Sequence, residues 1–187
     1  MYSSKHTILF SIGVILLLSC WLAPFFIIRI FQSLFVEGLE YSWYFAPNLS
    51  AYFLIGIALG LIGLALMLYV FLSSKKVKKL ITNSMMLIVT VISAILIFFG
   101  MNDYLYMTND GIVVNQTIST KEKLYKWDDV ETANLIAKEN GKRVIEFKYS
   151  NGDVNEFRDR IYIQNGQMIN HILRGNGVVV EFINNSK

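Results

Sequence analysis

Ser73-Ser74-Lys75-Lys76-Val77-Lys78-Lys79 joins two apolar runs, residues 49–72 and 80–101, and neither run contains an Asp, Glu, Lys, Arg or His. Each is long enough to cross roughly 30 Å of hydrocarbon as a helix. So short a connection makes them an antiparallel helical hairpin. The four lysines Lys75, Lys76, Lys78 and Lys79, with no acid among them, are the topology signal, because short basic loops stay on the cytoplasmic side. Residues 49–72 are therefore expected to run inward and 80–101 outward, which puts everything after Met101 outside the cell membrane.

Upstream, residues 7–28 form a third uncharged run, and the chain as a whole is 54% hydrophobic and only 17% charged. The expectation is a multi-pass protein with spans at 7–28, 49–72 and 80–101, Pro24 kinking the first. Leu17-Leu18-Ser19-Cys20 has the look of a lipoprotein acylation signal. The sequence after Cys20 stays apolar instead of becoming a polar tether, which favours a small thiol inside a helix. Both readings leave the last span in the same orientation. Between the first two spans, 30–36 reads as a continuing or interfacial helix, and Tyr41, Trp43, Tyr44 and Phe45 as an aromatic anchor at headgroup level. Gly56, Gly60 and Gly63 recur at i, i+4 and i+7 and predict a face for close helix packing within the chain, with a second copy as the alternative.

At Asn102 the texture changes. Residues 1–101 carry six Lys/Arg against two Glu, whereas 102–187 carry eleven Lys/Arg against twelve Asp/Glu. A near-neutral region tethered to a bilayer lacks the basic stripe by which proteins displace counterions from phosphates, so no nucleic-acid partner is expected. Short β-type runs separated by Asn/Gly turns predict an antiparallel sheet: 104–107 and 112–118 around Asn109-Asp110-Gly111, then 123–127, 130–138, 142–149 and 154–158. In the fifth of these, Ile145, Phe147 and Tyr149 alternate with Glu146 and Lys148, which puts the first three on one face. Met168, Ile169, Ile172 and Leu173 fall at helical spacing before Gly175, a natural C-cap, and 178–183 reads as a last strand. The predicted core is Trp127, Ile145, Phe147, Ile169 and Leu173, with the indole against Ile169 or Leu173.

Three stretches carry a resemblance: Tyr104-Leu105-Tyr106 with Asn109-Asp110-Gly111-Ile112, then Tyr125-Lys126-Trp127-Asp128-Asp129-Val130, then Phe147-Lys148-Tyr149-Ser150-Asn151-Gly152 before the late helix. Together they resemble the PH-like domains of bacterial membrane proteins, over residues 102–187 only. The resemblance implies an α+β PH-like domain, an antiparallel open barrel with one late helix, following three transmembrane helices. A strand after that helix departs from the pattern. Some members of the family are small multi-span Gram-positive proteins that protect a bacteriocin producer from its own product.

No catalytic, cofactor or metal site can be assembled from the sequence. His6 and His171 have no His, Cys or carboxylate at ligand spacing. The glycines of the tail stand singly in turns, and adjacent Asp128 and Asp129 are better used as turn residues than as a carboxylate pair. Among the runs assigned to the membrane no residue is ionisable, contrary to the usual need of a transporter or proton channel. Lys121, Lys123 and Lys126 are diluted by nearby acids and read as a solvated sheet face. A non-enzymatic membrane protein is expected, meeting the lipid bilayer and a protein, peptide or headgroup at its surface. The alternative is a structural or regulatory subunit that packs through its transmembrane helices.

Overall fold

The structure is a computed structural model that describes residues 4–35, 41–75, 77–115, 121–138 and 141–184. Its contacts divide into two compact units: Met1–Glu40, Ala46–Leu105 and Asn115–Glu122 make one, and Tyr41–Phe45, Tyr106–Val114 and Lys123–Lys187 the other.

The first unit is helical. It contains α1 (Ser4–Ser19), α2 (Ala23–Phe35), α3 (Leu49–Ser74) and α4 (Lys79–Met101). Helices α3 and α4 are each long and apolar enough to cross a membrane. The first run is different, because α1 and α2 meet at 82°. Pro24 does not kink one continuous helix as expected; it occupies the first turn of a new one, where its missing N–H costs nothing. The reversal before it is closed by Leu22 N–H to Ser19 O, 3.0 Å, and Phe25 N–H to Leu22 O, 3.2 Å.

Small residues decide how α1 and α4 approach α3. A Cβ on Gly13 would stand 2.8 Å from the Gly63 carbonyl oxygen, and one on Gly63 the same 2.8 Å from that of Gly13. A Cβ on Gly56 would come within 2.9 Å of the Cys20 carbonyl oxygen. Gly60 differs, since nothing would lie within 4 Å of its Cβ. At 3.6 residues per turn Gly63 projects about 20° to one side of Gly56 and Gly60 about 40° to the other, which is enough to turn it out of the contact. On the α4 side the Ser93 hydroxyl donates to Ala58 O at 3.3 Å, a polar pair that a dry helix interface favours. Ile28, Ala51 and Ile55 form the buried centre, flanked by Ile27, Tyr52, Leu59 and Met101.

The second unit carries most of the strands. One sheet has the order β1-β2-β3-β4 (Tyr44–Pro47, Tyr104–Met107, Gly111–Asn115, Lys123–Lys126). The other has the order β7-β6-β5-β8, with β5 at Val130–Ala137, β6 at Arg143–Tyr149, β7 at Val154–Arg158 and β8 at Val180–Asn184. Pairing of β5 with β6 and of β6 with β7 is antiparallel, while β8 returns parallel to β5. That return needs a crossover, which α5 (Asp159–Gly175) supplies.

Two elements differ from expectation. Helix α5 begins at Asp159, well before the periodic residues, and its irregular backbone at Asn165 breaks the spacing that would have revealed the first two turns. Its cap is also displaced: Val178 N–H bonds Leu173 O at 2.9 Å and Gly177 N–H bonds Arg174 O at 3.1 Å, a Schellman arrangement with Gly177, φ +76°, in the left-handed position. The stopping glycine is thus Gly177 and not Gly175.

Gly63→Val should force α1 from α3 and lower stability by about 1–3 kcal/mol. Gly60→Ala should be neutral or stabilising by up to about 1 kcal/mol, since it adds helix propensity and meets no atom. Thermal unfolding of the detergent-solubilised chain measures both.

Candidate functional site

In the second unit, every core residue expected from the sequence is buried: Trp127, Ile145, Phe147, Ile169 and Leu173 are at most 1% exposed. Trp127 opens the 3-10 turn Trp127–Asp129 and donates its indole N–H to Thr108 O at 2.9 Å. It meets the Phe147 ring edge-on at 5.7 Å and stacks on Trp43 at 6.3 Å. Trp43 belongs to the cluster read as a headgroup anchor. The structure gives that cluster another job: Tyr44, Phe45, Ala46 and Pro47 are strand β1, and Trp43 N–H bonds Met107 O at 3.0 Å. Asp128 and Asp129 are expected to bond the backbone of their own turn; instead the Asp128 carboxylate accepts from the Asn176 side chain at the end of α5 at 3.0 Å, and it is the backbone oxygen of Asp129 that accepts Ser150 N–H at 2.9 Å.

The surface of this unit offers two contrasting faces. On one, Lys123 Nζ lies 2.6 Å from Asp153 and 4.6 Å from the Tyr125 ring centre, so this member of the basic run is already engaged. The Lys123 ammonium holds the Asp153 carboxyl below its ordinary range, and the bond to Asp153 raises Lys123. Both groups are exposed, which leaves the pair little weight in stability. On the other face, β8 is an edge strand, its outer side pairing with no described strand. Beside and on it Val179 and Phe182 are 62% and 61% exposed. An apolar, unpaired edge is a template for another extended chain.

In the helical unit, Asp103 is a buried carboxylate, 1% exposed, immediately after α4. It accepts from the Asn48 side-chain amide at 2.6 Å and from the Ser50 hydroxyl, while its own backbone oxygen takes Asn48 N–H at 3.2 Å. Asn48 is the N-cap of α3, so a negative charge is set where the helix dipole is positive. Nearby along the chain, fully buried Gln32 donates to Met101 O at 3.2 Å. Nothing local in the sequence singles out Asp103, because its donors lie more than fifty residues away.

The topology lysines stand at the hairpin tip. Lys75 is exposed, its ammonium 5.8 Å from the Phe71 ring centre, and Lys78 and Lys79 open α4, both exposed. Lys76 lies outside the described residues. Cys20 donates its thiol to Leu17 O at 3.0 Å and is half-buried. Among the described residues no three His, Cys, Asp or Glu side chains gather closely enough to share an ion.

No family model matches this chain, and no curated protein matches it.

Asp103→Leu should leave the Asn48 amide and the Ser50 hydroxyl without their acceptor and cost about 1–3 kcal/mol, with Asp103→Asn losing less; thermal unfolding in detergent measures the difference. A second test lies in alkali. Tyr149, buried on β6 with its hydroxyl facing Asn155 without a well-formed bond, is pushed up from 10.0 to about 12, chiefly by burial. A phenol raised in the folded state stabilises fully below its unfolded pKa, and that contribution disappears as pH rises from about 10 to 12. Tyr149→Phe should remove this alkaline step from the tyrosinate absorbance titration while leaving neutral-pH stability within about 1 kcal/mol.

Proposed function

We propose that the chain is a non-enzymatic, three-crossing membrane protein that displays a PH-like module outside the cell membrane and binds an extended protein or peptide segment there. The exposed edge of β8 carries this reading. Main-chain N–H and C=O groups on that edge would supply affinity, and exposed Val179 and Phe182 would supply apolar selection. Antiparallel strands followed by a helix that covers one sheet support the PH-like assignment, with β8 as an addition to the pattern. In this reading the broken α1–α2 pair is the first crossing, and the basic Lys75–Lys79 hairpin supports a module outside, because short basic loops stay cytoplasmic. Protection of the envelope, as an immunity factor, is the biological role that the resemblance suggests. The alternative, a subunit joined through Gly56, Gly60 and Gly63, has less behind it, because Gly63 is used against α1 and Gly56 against Cys20 at the elbow that follows it.

Two experiments test the proposal on the full chain in its native membrane. A reporter fused after Lys187 should be active only as an extracytoplasmic fusion; cytoplasmic activity would reverse the topology. A photo-crosslinking residue placed at Phe182 should give discrete protein or peptide adducts that the same residue at exposed Lys142 does not. Equal labelling from the two positions, or none from Phe182, would remove β8 as the binding edge.

A further inference from the structure

An apolar groove of about 460 Å³ opens in the helical unit between the α1–α2 elbow and the first half of α3. Its walls include Trp21, Phe25, Tyr52, Phe53 and Leu64, and Gly60 forms its floor. The absence of any atom within 4 Å of a Gly60 Cβ is the local signature of this space.

Two dimensions limit the occupant. Along α3 the lining extends from Leu49 to Leu64, about 22 Å at 1.5 Å per residue. A packed helix 10–12 Å in diameter would take about 2000 Å³ over that length, about twice the 1020 Å³ of open space there. An extended hydrocarbon chain matches the length, and the lining offers it almost no polar atom to leave unpaired.

The groove also has a charge beside it. Arg29 is exposed one turn beyond Phe25 on α2, and the Phe25 ring packs on Tyr52 at 4.7 Å in the wall of the groove. Arg29 forms no ion pair with any described residue. A guanidinium beside a hydrocarbon slot complements a phosphate ester with an attached chain.

We infer that the helical unit holds one anionic phospholipid of the surrounding bilayer, with an acyl chain in the groove over Gly60 and its phosphate at Arg29. The inference concerns the helical unit alone and is independent of what the β8 edge binds. It rests on α3 as a membrane span.

The test is native mass spectrometry of the delipidated full-length protein, with phosphatidylglycerol, phosphatidylcholine or inorganic phosphate added in turn. Phosphatidylglycerol should give a single retained adduct, roughly fivefold favoured over phosphatidylcholine, as one interfacial cation allows. Arg29→Gln should erase that preference while weak binding of both lipids persists. Gly60→Leu should fill the slot and lose both adducts at an unchanged melting temperature. Leu64→Trp, which fills the same slot from a partly exposed position, guards against a folding defect in the first variant. Retention by both filled variants, equal binding of the two lipids by the parent, or an adduct with inorganic phosphate that matches the lipid would each overturn the assignment.

Discussion

The buried carboxylate of Asp103 is the constraint on which the ends of the helices depend. An ionised group withdrawn from water costs several kcal/mol unless donors replace its hydration. Here the donors are the Asn48 amide and the Ser50 hydroxyl, both from the first turn of α3 or its cap. The chain just after α4 is thereby fixed to the residues that begin α3, at the opposite end from the lysine hairpin. The bond from Asn48 N–H to Asp103 O adds a main-chain tie between the same two residues. One polar cluster serves helix capping and helix pairing together.

What the sequence made legible follows from which forces are local. Uncharged runs announce α3 and α4 because hydrocarbon sets a length and admits no charge. Period-two alternation in Ile145, Phe147 and Tyr149 fixed the buried face of β6, and the strands 104–107 and 154–158 fall where the pattern put them. Strand β1 was hidden because four residues beside a span have no period to read, and aromatic rings there fit a headgroup anchor equally well. Its pairing is decided by partners more than fifty residues away. The split at residues 19–23 was hidden for a related reason: Pro24 signals a disturbance, but a kink and a new helix start from the same residue.

The candidate sites were less legible than the fold. A carboxylate reads as a surface acid until the donors from a distant helix cap are seen around it. Gly56, Gly60 and Gly63 look alike as a spacing, yet the angle between their directions makes two of them contacts and the third the floor of a groove. The exposed edge at β8 depends on its parallel return to β5, which no local pattern predicts. The candidate surfaces are made by distant segments, and a linear reading sees those last.

The pairing of residues 43–48 with 103–107 is the central structural claim, and amide hydrogen exchange of the full-length protein in a bilayer mimic measures it most directly. The account predicts that the N–H groups of Trp43 and Asn48, which donate to Met107 O and Asp103 O, exchange as slowly as those of the interior strands β5 and β6. Exchange of either at the rate of an exposed loop would contradict it and return the aromatic segment to the role of an interfacial anchor.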